Sequence, residues 1–365
     1  LGGNLSLQSA GILVTPNVGA FDTIITGFAI QNAATTANLD TVIIHQHNNQ
    51  GALQIDSVLQ NNTGAGQLTK SGTGKVYLNA INTRTGALNM NEGELQVGGT
   101  ATAPTTATAA RLGGANVAIN MSEGATLTFL SSETAVQDLS TIQGGGQITL
   151  ATGNTMPVLM DTDNGNFFGD ITVNGGTLQI SGNNNALGSN RGITTIGATG
   201  TLQFNDSRST GEFITYEQGA TVTKLAAASG TLSGKQTFNN TTAAGLVFDI
   251  PTHTTVNAVG LNISGMVYGS NGFTKTGDGI LQISANNFDD VYDGYTGINK
   301  TPTLSGQVAV NQGILYVGGT RALGAFGVGN EIIVASGATV DLRDQDLNLG
   351  DDSNPAREIF KIQGT

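Results

Sequence analysis

The fold is decided by residues 66–99, GQLTKSGTGKVYLNAINTRTGALNMNEGELQVGG, because both halves of this stretch recur later in the same order. Its first half, LTKSGTGKVYL, returns as FTKTGDGILQI (273–283), with Thr, Lys and two glycines in matching positions. Its second half, NEGELQVGG, returns as NGGTLQISG (174–182) and NQGILYVGG (311–319). Such repeats are typical of solenoids, in which each unit buries its apolar face against its neighbours.

Each second half is followed by another strand that begins after a glycine, and this spacing estimates the length of one turn. The interval from Gly176 to Gly200 in the second copy equals the interval from Gly313 to Gly337 in the third. The corresponding interval in the first copy, from Gly93 to Gly124, is longer. The difference falls in TATAPTTATAARL (100–112), where we predict an inserted loop.

The apolar residues of the repeats alternate with polar ones, which places them on one face of a strand. We predict that Leu95, Val97, Leu178, Ile180, Leu315 and Val317 point into the solenoid, and that Gln96, Gln179 and Tyr316 point out. The segment SSETAVQDLS (131–140) has too few apolar residues for a helix.

A β-sandwich or a propeller would also contain short, evenly spaced strands. However, aromatic residues are only 5 % of the chain and tryptophan does not occur, which suits the narrow interior of a solenoid. Moreover, the repeating block is strand, turn, strand in one direction, whereas a sandwich or propeller is built from hairpins. The sequence therefore predicts an all-β fold, a right-handed parallel β-helix, with about 18 coils if each uses roughly 20 residues.

Composition restricts the possible partners. The net charge is −12 and the 14 basic residues are scattered singly, so no patch suits nucleic acid or an anionic membrane. The chain has no cysteine and no apolar run of membrane-helix length, which argues against disulfides and against membrane insertion of this segment.

With these motifs, the chain resembles the passenger-associated repeat of autotransporters. That pattern combines Leu-Thr-Lys-x-Gly-x-Gly, an Asn, Thr-Tyr-Thr-Gly and Asn-x-Gly-x-Leu-x-Val. The resemblance covers residues 67–132, 144–206 and 261–342, although the central block lacks the Thr-Lys motif. The matching positions are Leu68, Thr69, Lys70, Gly72, Gly74, Thr85, Gly86, Gly93, Leu95 and Val97, then Thr274, Lys275, Gly277, Gly279, Tyr295, Thr296, Gly297, Gly313, Leu315 and Val317.

The resemblance implies a β-helix exported through the bacterial outer membrane and displayed at the cell surface by type V secretion. It implies a scaffold and leaves the activity open, since passengers of this kind include adhesins, surface fibres and proteins of unknown role.

The main alternative is a β-helix enzyme, a lyase or hydrolase, that acts on a polysaccharide. It would need clustered carboxylates, and DTDNGN (161–166) departs from the calcium-loop pattern because Gly165 stands where a third ligand belongs. We interpret all the clusters as solvated turn charges, with adventitious calcium as an alternative. They comprise Asp161 and Asp163; Asp289, Asp290 and Asp293; and Asp341, Asp344, Asp346, Asp351 and Asp352.

Other candidate sites are sparse. His45 and His47 would share one strand face, but His253 is distant and no third metal ligand is evident. Lys70 and Lys275 are the only recurrent charges, interpreted either as corner lysines with solvated amines or as a ladder or partner contact. The sequons at Asn4, Asn61 and Asn262 receive no role, since a chain rich in Asn and Thr contains such triplets by chance. A carbohydrate-binding module would depend on Tyr292 and Tyr295.

We therefore predict one elongated β-helix over residues 1–365, extracellular or at the cell surface. Its predicted role is a non-catalytic stalk, adhesin, surface fibre or filament element, and we assign no catalytic, cofactor-binding or metal-binding residue. The expected partners are a host or neighbouring cell surface or a glycan. Strand-like sequence at both ends also predicts continuation of a longer chain or end-to-end self-association.

Overall fold

The computed structural model describes residues 3–8, 11–32, 41–292, 298–319, 321–343 and 359–363. These residues form an all-β fold of parallel stacked strands, a β-solenoid of about 13 turns, which confirms the predicted fold class. No helix among them is long and apolar enough to cross a membrane. The chain divides into two compact units, Leu1–Gln179 with Asn185–Gly192, and Ile180–Asn184 with Ile193–Thr365.

The first unit contains a 3-10 turn at Pro16–Val18 and strands that pair in parallel with the strands one turn before and after. The described strands are β1 (Asn4–Leu7), β2 (Gly11–Val14), β3 (Thr23–Ile25), β4 (Ala29–Asn32), β5 (Thr41–Gln46), β6 (Leu53–Ile55), β7 (Gln67–Ser71), β8 (Lys75–Leu78), β9 (Leu88–Met90), β10 (Glu94–Val97), β11 (Val117–Met121), β12 (Thr126–Phe129), β13 (Gln137–Gly144), β14 (Gln147–Leu150), β15 (Val158–Met160) and β16 (Ile171–Ile180).

The second unit is built in the same way and includes a 3-10 turn at Ala243–Gly245. Its described strands are β17 (Ile193–Phe204), β18 (Arg208–Thr210), β19 (Phe213–Glu217), β20 (Ala220–Lys224), β21 (Gly230–Leu232), β22 (Gln236–Asn239), β23 (Leu246–Asp249), β24 (Val259–Ile263), β25 (Val267–Gly269), β26 (Phe273–Thr276), β27 (Ile280–Ile283), β28 (Phe288–Tyr292), β29 (Ile298–Pro302), β30 (Val308–Val310), β31 (Ile314–Val317), β32 (Ile332–Val334), β33 (Thr339–Asp341) and β34 (Phe360–Ile362).

The predicted number of turns was wrong because turn length varies more than the repeats suggest. Lys75 in β8 lies beside Glu94 in β10, which makes a short turn. Phe273 in β26 lies beside Val308 in β30, and the turn between them is nearly twice as long. Long turns contain excursions such as residues 100–112, which form no strand and thereby confirm the predicted loop. About 13 turns result, fewer than the repeat spacing suggests.

The predicted inward residues are confirmed, since all six have 0 or 1 % of their surface exposed. They belong to β10, β16 and β31, where every second side chain faces the interior. They are Leu95, Val97, Leu178, Ile180, Leu315 and Val317.

Two of the three residues predicted to point out of the solenoid are nevertheless buried, because other segments cover them. Gln96 is only 3 % exposed, because its Nε2 donates to the carbonyl of Pro104 (3.1 Å) in the loop that covers it. Tyr316 is 7 % exposed, and the guanidinium carbon of Arg343 lies 4.4 Å from its ring centroid. Gln179 is half-buried. Long connections therefore bury outward-facing side chains that the alternation alone assigns to solvent.

Among the strand pairings that the structure describes in the second unit, one departs from the parallel arrangement. β28 and β29 form an antiparallel hairpin, with Phe288 beside Pro302 and Tyr292 beside Ile298. The hairpin lies in the long turn between β26 and β30 and has no counterpart in the first copy of the repeat. The segment 131–140 is not helical, as predicted, and its last residues enter β13.

Candidate functional site: buried clamps and an outer amide groove

The lysine of the first repeat is fully buried and joins two turns of the solenoid. The Lys70 Nζ donates to the carbonyl of Gly72 (2.6 Å) at the end of its own strand. It also donates to the carbonyl of Glu92 (3.0 Å), one turn further on. Glu92 is the middle residue of the Asn-x-Gly motif, so the two halves of the repeat are held together by this one ammonium group. We call this arrangement, a buried lysine bonded to the carbonyls of Gly72 and Glu92, a clamp.

The second repeat builds the same clamp. The Lys275 Nζ donates to the carbonyls of Gly277 (2.5 Å), Thr276 (2.7 Å) and Gln312 (3.1 Å), and Gln312 is again the middle residue of Asn-x-Gly. Both interpretations of these lysines, as solvated corner residues or as an exposed ladder or partner contact, were therefore wrong. The lysine amine supplies the donor that these backbone carbonyls need where the strand turns.

Burial lowers the pKa of both lysines to about 8. Nearby carboxylates oppose this effect, Glu92 and Glu94 at Lys70, and Asp249 and Asp278 at Lys275. Desolvation is the larger cause because water is replaced by a few carbonyl dipoles. The lysine charge that recurs in the two repeats therefore lies inside the solenoid and not on its surface.

Two cationic side chains that the sequence analysis missed are buried similarly. The Lys224 Nζ donates to the carbonyls of Leu225 and Ala226, both at 3.1 Å. The Arg84 Nη1 donates to the carbonyl of Gly86 (2.8 Å), while its Nε and Nη2 are buried without a hydrogen-bond partner. Burial lowers the Arg84 pKa to about 10. The available signal for Lys224 was its Thr-Lys dipeptide, which matches that of the two repeats.

The glycines of the repeat permit the close approach that the clamp requires. A Cβ on Gly93 would lie 2.6 Å from the carbonyl oxygen of Gly72 and 2.9 Å from the Lys70 Nζ. A Cβ on Gly313 would lie 2.5 Å from the carbonyl oxygen of Gly277. Both Gly93 and Gly313 have φ of 67°, which residues other than glycine adopt at a cost.

Buried asparagines join three successive turns. The Asn82 Oδ1 accepts from the backbone N–H of Leu59 (2.7 Å) in the previous turn, and its Nδ2 donates to the carbonyl of Arg111 (2.7 Å) in the next. Such amides satisfy backbone groups where strands end. Asn164 bonds in the same way to Ile142 and Ala186, and Asn287 to Val267 and Ala322.

An open cleft of about 620 Å³ lies on the outer face of the first unit, over β7, β9, β11 and β13. One polar side chain per turn lines it, a hydroxyl and then three amides, because Thr69 lies beside Asn89, Asn89 beside Asn120, and Asn120 beside Gln143. We call this the amide groove. Its lining residues are Thr69, Asn89, Met90, Asn91, Asn120, Met121, Ser122, Gln143, Gly144 and Asn166, and none of them is ionisable.

The amides of the groove form a directional ladder. The Asn120 Nδ2 donates to the Asn89 Oδ1 (2.6 Å), and the Gln143 Nε2 donates to the Asn120 Oδ1. A parallel row begins at Ser71, whose Oγ accepts from the Asn91 Nδ2 (2.8 Å). The sequence did not reveal the ladder because the distance along the chain from one member to the next differs at every step.

His45 and His47 lie on one exposed face, as predicted, with ring centroids 6.1 Å apart. His45 lies beside Ser71, whose hydroxyl accepts a hydrogen bond from Asn91. His253 accepts from the backbone N–H of Thr255 at its Nδ1 (2.8 Å). Across the described ranges, no group of three or more His, Asp or Glu side chains could hold a metal.

The acidic candidates that the structure describes have separate environments. Asp163 accepts from the Asn185 Nδ2 and from the backbone N–H of Gly165, both at 3.0 Å, and these bonds lower its pKa. Asp161 is one cause of the raised pKa of Asp138, after burial. Asp341 accepts from the backbone N–H of Arg343. The remaining candidates lie outside the described residues or have side chains outside them: Asp289, Asp290, Tyr292, Asp293, Tyr295, Asp344, Asp346, Asp351 and Asp352.

The sequon asparagines have local structural contacts. The Asn61 Oδ1 accepts from the backbone N–H groups of Gly66 (2.8 Å) and Thr85 (2.9 Å). The Asn4 Nδ2 donates to Gln31, and the Asn262 Oδ1 accepts from a serine hydroxyl one turn later.

No protein-family model, curated protein or solved structure matches this chain.

Proposed function

We propose that the chain is a non-catalytic β-solenoid scaffold displayed outside the cell, of the kind found in autotransporter passengers. The observation that carries this proposal is the role of the repeat signature. In the first copy, Lys70 and Asn82 bond one turn to the next, and Gly93 permits the close approach of the turns. A repeat motif whose residues hold successive turns together favours a structural role for the chain.

The composition of the chain supports display outside the cell. With no cysteine, it can cross an envelope unfolded without forming wrong disulfides. Backbone hydrogen bonds join the strands of each described turn to those of the turn before it, so each turn can fold on the previous one. Folding that propagates from turn to turn suits a polypeptide that emerges progressively at a surface.

Protease treatment of intact producing cells tests the location. We expect mass spectrometry to recover peptides of this chain from the supernatant before lysis, while peptides of a cytosolic marker appear only after lysis. Recovery of its peptides only after lysis would contradict display outside the cell.

A substrate screen tests the non-catalytic role. Purified protein is incubated with neutral and acidic polysaccharides, and new reducing ends and unsaturated sugars are measured. We expect no turnover above a heat-denatured control. Turnover that is lost in the Asp161→Asn variant would instead assign the chain to the polysaccharide enzymes.

A further inference from the structure

We propose that the amide groove of the first unit binds an extended, uncharged polysaccharide chain. This inference rests on the proposed scaffold function and names what the scaffold would hold. The groove crosses β7, β9, β11 and β13, and all the residues that line it are uncharged; all but Met90, Met121 and Gly144 have polar side chains. The two methionines are almost fully buried, at 1 and 4 % exposure, so the accessible wall is formed mainly by Asn, Gln, Thr and Ser side chains, which present carbon atoms as well as amides and hydroxyls.

The ladder leaves hydrogen-bonding capacity for a ligand. A side-chain amide has two donors and an oxygen that accepts two hydrogen bonds. Within the ladder, Asn120 donates one N–H to Asn89 and accepts one bond from Gln143. Its second N–H and second lone pair are left over, and the ladder fixes the plane of the amide. A row of fixed groups that both donate and accept matches sugar hydroxyls, which also do both.

The spacing of the row favours a polymer. Neighbouring strands lie about 4.8 Å apart, so Thr69, Asn89, Asn120 and Gln143 repeat the same polar contact at about that interval. One sugar of an extended β-linked chain advances by a similar distance. Each turn of the solenoid can therefore present one amide or hydroxyl to one sugar.

The charge of the protein selects against acidic polymers. With a net charge of −12 and no ionisable residue lining the groove, the protein would repel polyuronates and sulfated glycans. At one end of the groove the chain reads Gly144-Gly145-Gly146, and the side chains of Phe168 and Glu123 pack against Gly145. A Cβ on Gly144 would lie 1.8 Å from the carbonyl oxygen of Met121, so the close approach of these two turns requires glycine at this position.

Calorimetric titration with oligosaccharides tests the inference. The probes are disaccharides, tetrasaccharides and hexasaccharides of neutral β-linked glucose, xylose, mannose and N-acetylglucosamine, with oligogalacturonate as the acidic comparator. We expect at least one neutral series to bind, with affinity rising from the disaccharide to the tetrasaccharide because each added sugar contacts another of the four members of the row, and with little further gain at the hexasaccharide. Absence of binding by every neutral hexasaccharide, or tighter binding of oligogalacturonate, would overturn the inference.

A variant pair locates the site. Asn89→Ala with Asn120→Ala removes two amides of the row, and we expect the affinity for the neutral hexasaccharide to fall about tenfold. Asn239→Ala is the matched control, since Asn239 is an exposed amide of the second unit that bonds to Glu217. Circular dichroism confirms that both variants are folded. Unchanged binding by the double variant contradicts the inference.

Sedimentation of the unliganded protein tests the competing occupant. Association that depends on concentration and is lost in the Asn89→Ala, Asn120→Ala variant would assign the groove to a second copy of the chain and overturn the polysaccharide inference. A monomer that binds the neutral hexasaccharide supports it. Both experiments use purified protein, so their outcome is independent of whether the chain is displayed outside the cell.

Discussion

The two units share one interior device and differ on their outer faces. Lys70 in the first unit and Lys275 in the second bind the same two kinds of carbonyl, that of the Gly-x-Gly turn and that of the Asn-x-Gly motif. Outside, the first unit has the amide groove, whereas an outer row of the second unit consists of Thr195, Thr215 and Thr237. The repeat thus determines these interior contacts in both units, whereas the residues of the outer face differ between them.

The interiors also differ in what fills them. The first unit is packed mainly with Leu, Ile, Val and Met side chains. The second contains a run of interior aromatic rings, in which Phe248 and Phe273 meet edge to face with centroids 5.3 Å apart. Tyr216 joins this run, and its hydroxyl donates to the Gln236 Oε1 (2.7 Å). The clamp is therefore compatible with two kinds of interior packing. We expect the aromatic run to contribute more to the stability of the second unit than single aliphatic side chains contribute to that of the first.

The largest effect that we expect comes from truncating this aromatic run. Phe248→Ala should destabilise the second unit by about 3–5 kcal/mol, and Leu178→Ala the first by about 2–4 kcal/mol. The difference arises because Phe248 also contacts Tyr216, Phe238 and Phe273. Hydrogen exchange of the backbone amides in the neighbouring strands measures both losses locally. A larger loss at Leu178 would show that the aromatic run is loosely packed.

Removing the clamp should cost the two units equally. Lys70→Met and Lys275→Met each leave buried carbonyls without a donor, and we expect about 2–3 kcal/mol of destabilisation for each. Lys75→Met is the control, because Lys75 pairs with Glu94 (2.9 Å) at a partly exposed site. Chemical denaturation of the three variants gives the comparison. Losses at Lys70 and Lys275 no greater than at Lys75 would disprove the clamp.

The fold was predictable because its signals are local and repeated. Alternating residues such as Leu95 and Val97 specify a strand face, and Gly93 specifies a turn, wherever they occur. The number of turns was less predictable, since it depends on connections such as residues 100–112 that have no fixed length. The hairpin of β28 and β29 also follows no rule of the repeat.

The candidate sites were harder to predict because they depend on register. Asn89 and Asn120 are separated by a long connection and become neighbours only once the intervening loop is placed outside the stack. For Lys70, the repeat indicated a constrained position, but a lysine is usually solvated, and its burial became apparent only with the carbonyls of Gly72 and Glu92 in place.

A smaller effect is expected from the buried asparagines. Asn82→Ala and Asn287→Ala each leave one backbone N–H and one carbonyl unpaired, which should cost about 2 kcal/mol. Asn89→Ala, at a half-buried outer position, is the control and should change stability by less than about 0.5 kcal/mol. Thermal unfolding of the three variants compares them. Equal behaviour of Asn82→Ala and Asn89→Ala would indicate that water replaces the buried amide.

The smallest effect that we expect is a pH dependence of folding stability that arises from the buried lysines of the clamp. Lys275 has a pKa of about 8 in the folded chain, against an ordinary value of 10.5. Below pH 8 the lysine is protonated in both states, so its contribution to stability is constant. Between about pH 8 and 10.5 the unfolded chain binds more protons than the folded one, and the stability of the folded state therefore rises with pH at this site. Above 10.5 the contribution is constant again.

The Lys275→Met variant isolates this contribution, because all other titrating groups are common to both proteins. We expect its unfolding midpoint to lie below that of the unchanged chain at pH 7, and the deficit to widen between pH 8 and pH 10. Lys70→Met should give the same trend, since burial is the larger cause of the lowered pKa at both sites. A deficit that stays constant or narrows over this range would mean that the carbonyls of Thr276, Gly277 and Gln312 hold the proton against desolvation. In that case both lysines would stay protonated over this pH range, and the clamp would consist of hydrogen bonds from an ammonium group to carbonyl dipoles in both units.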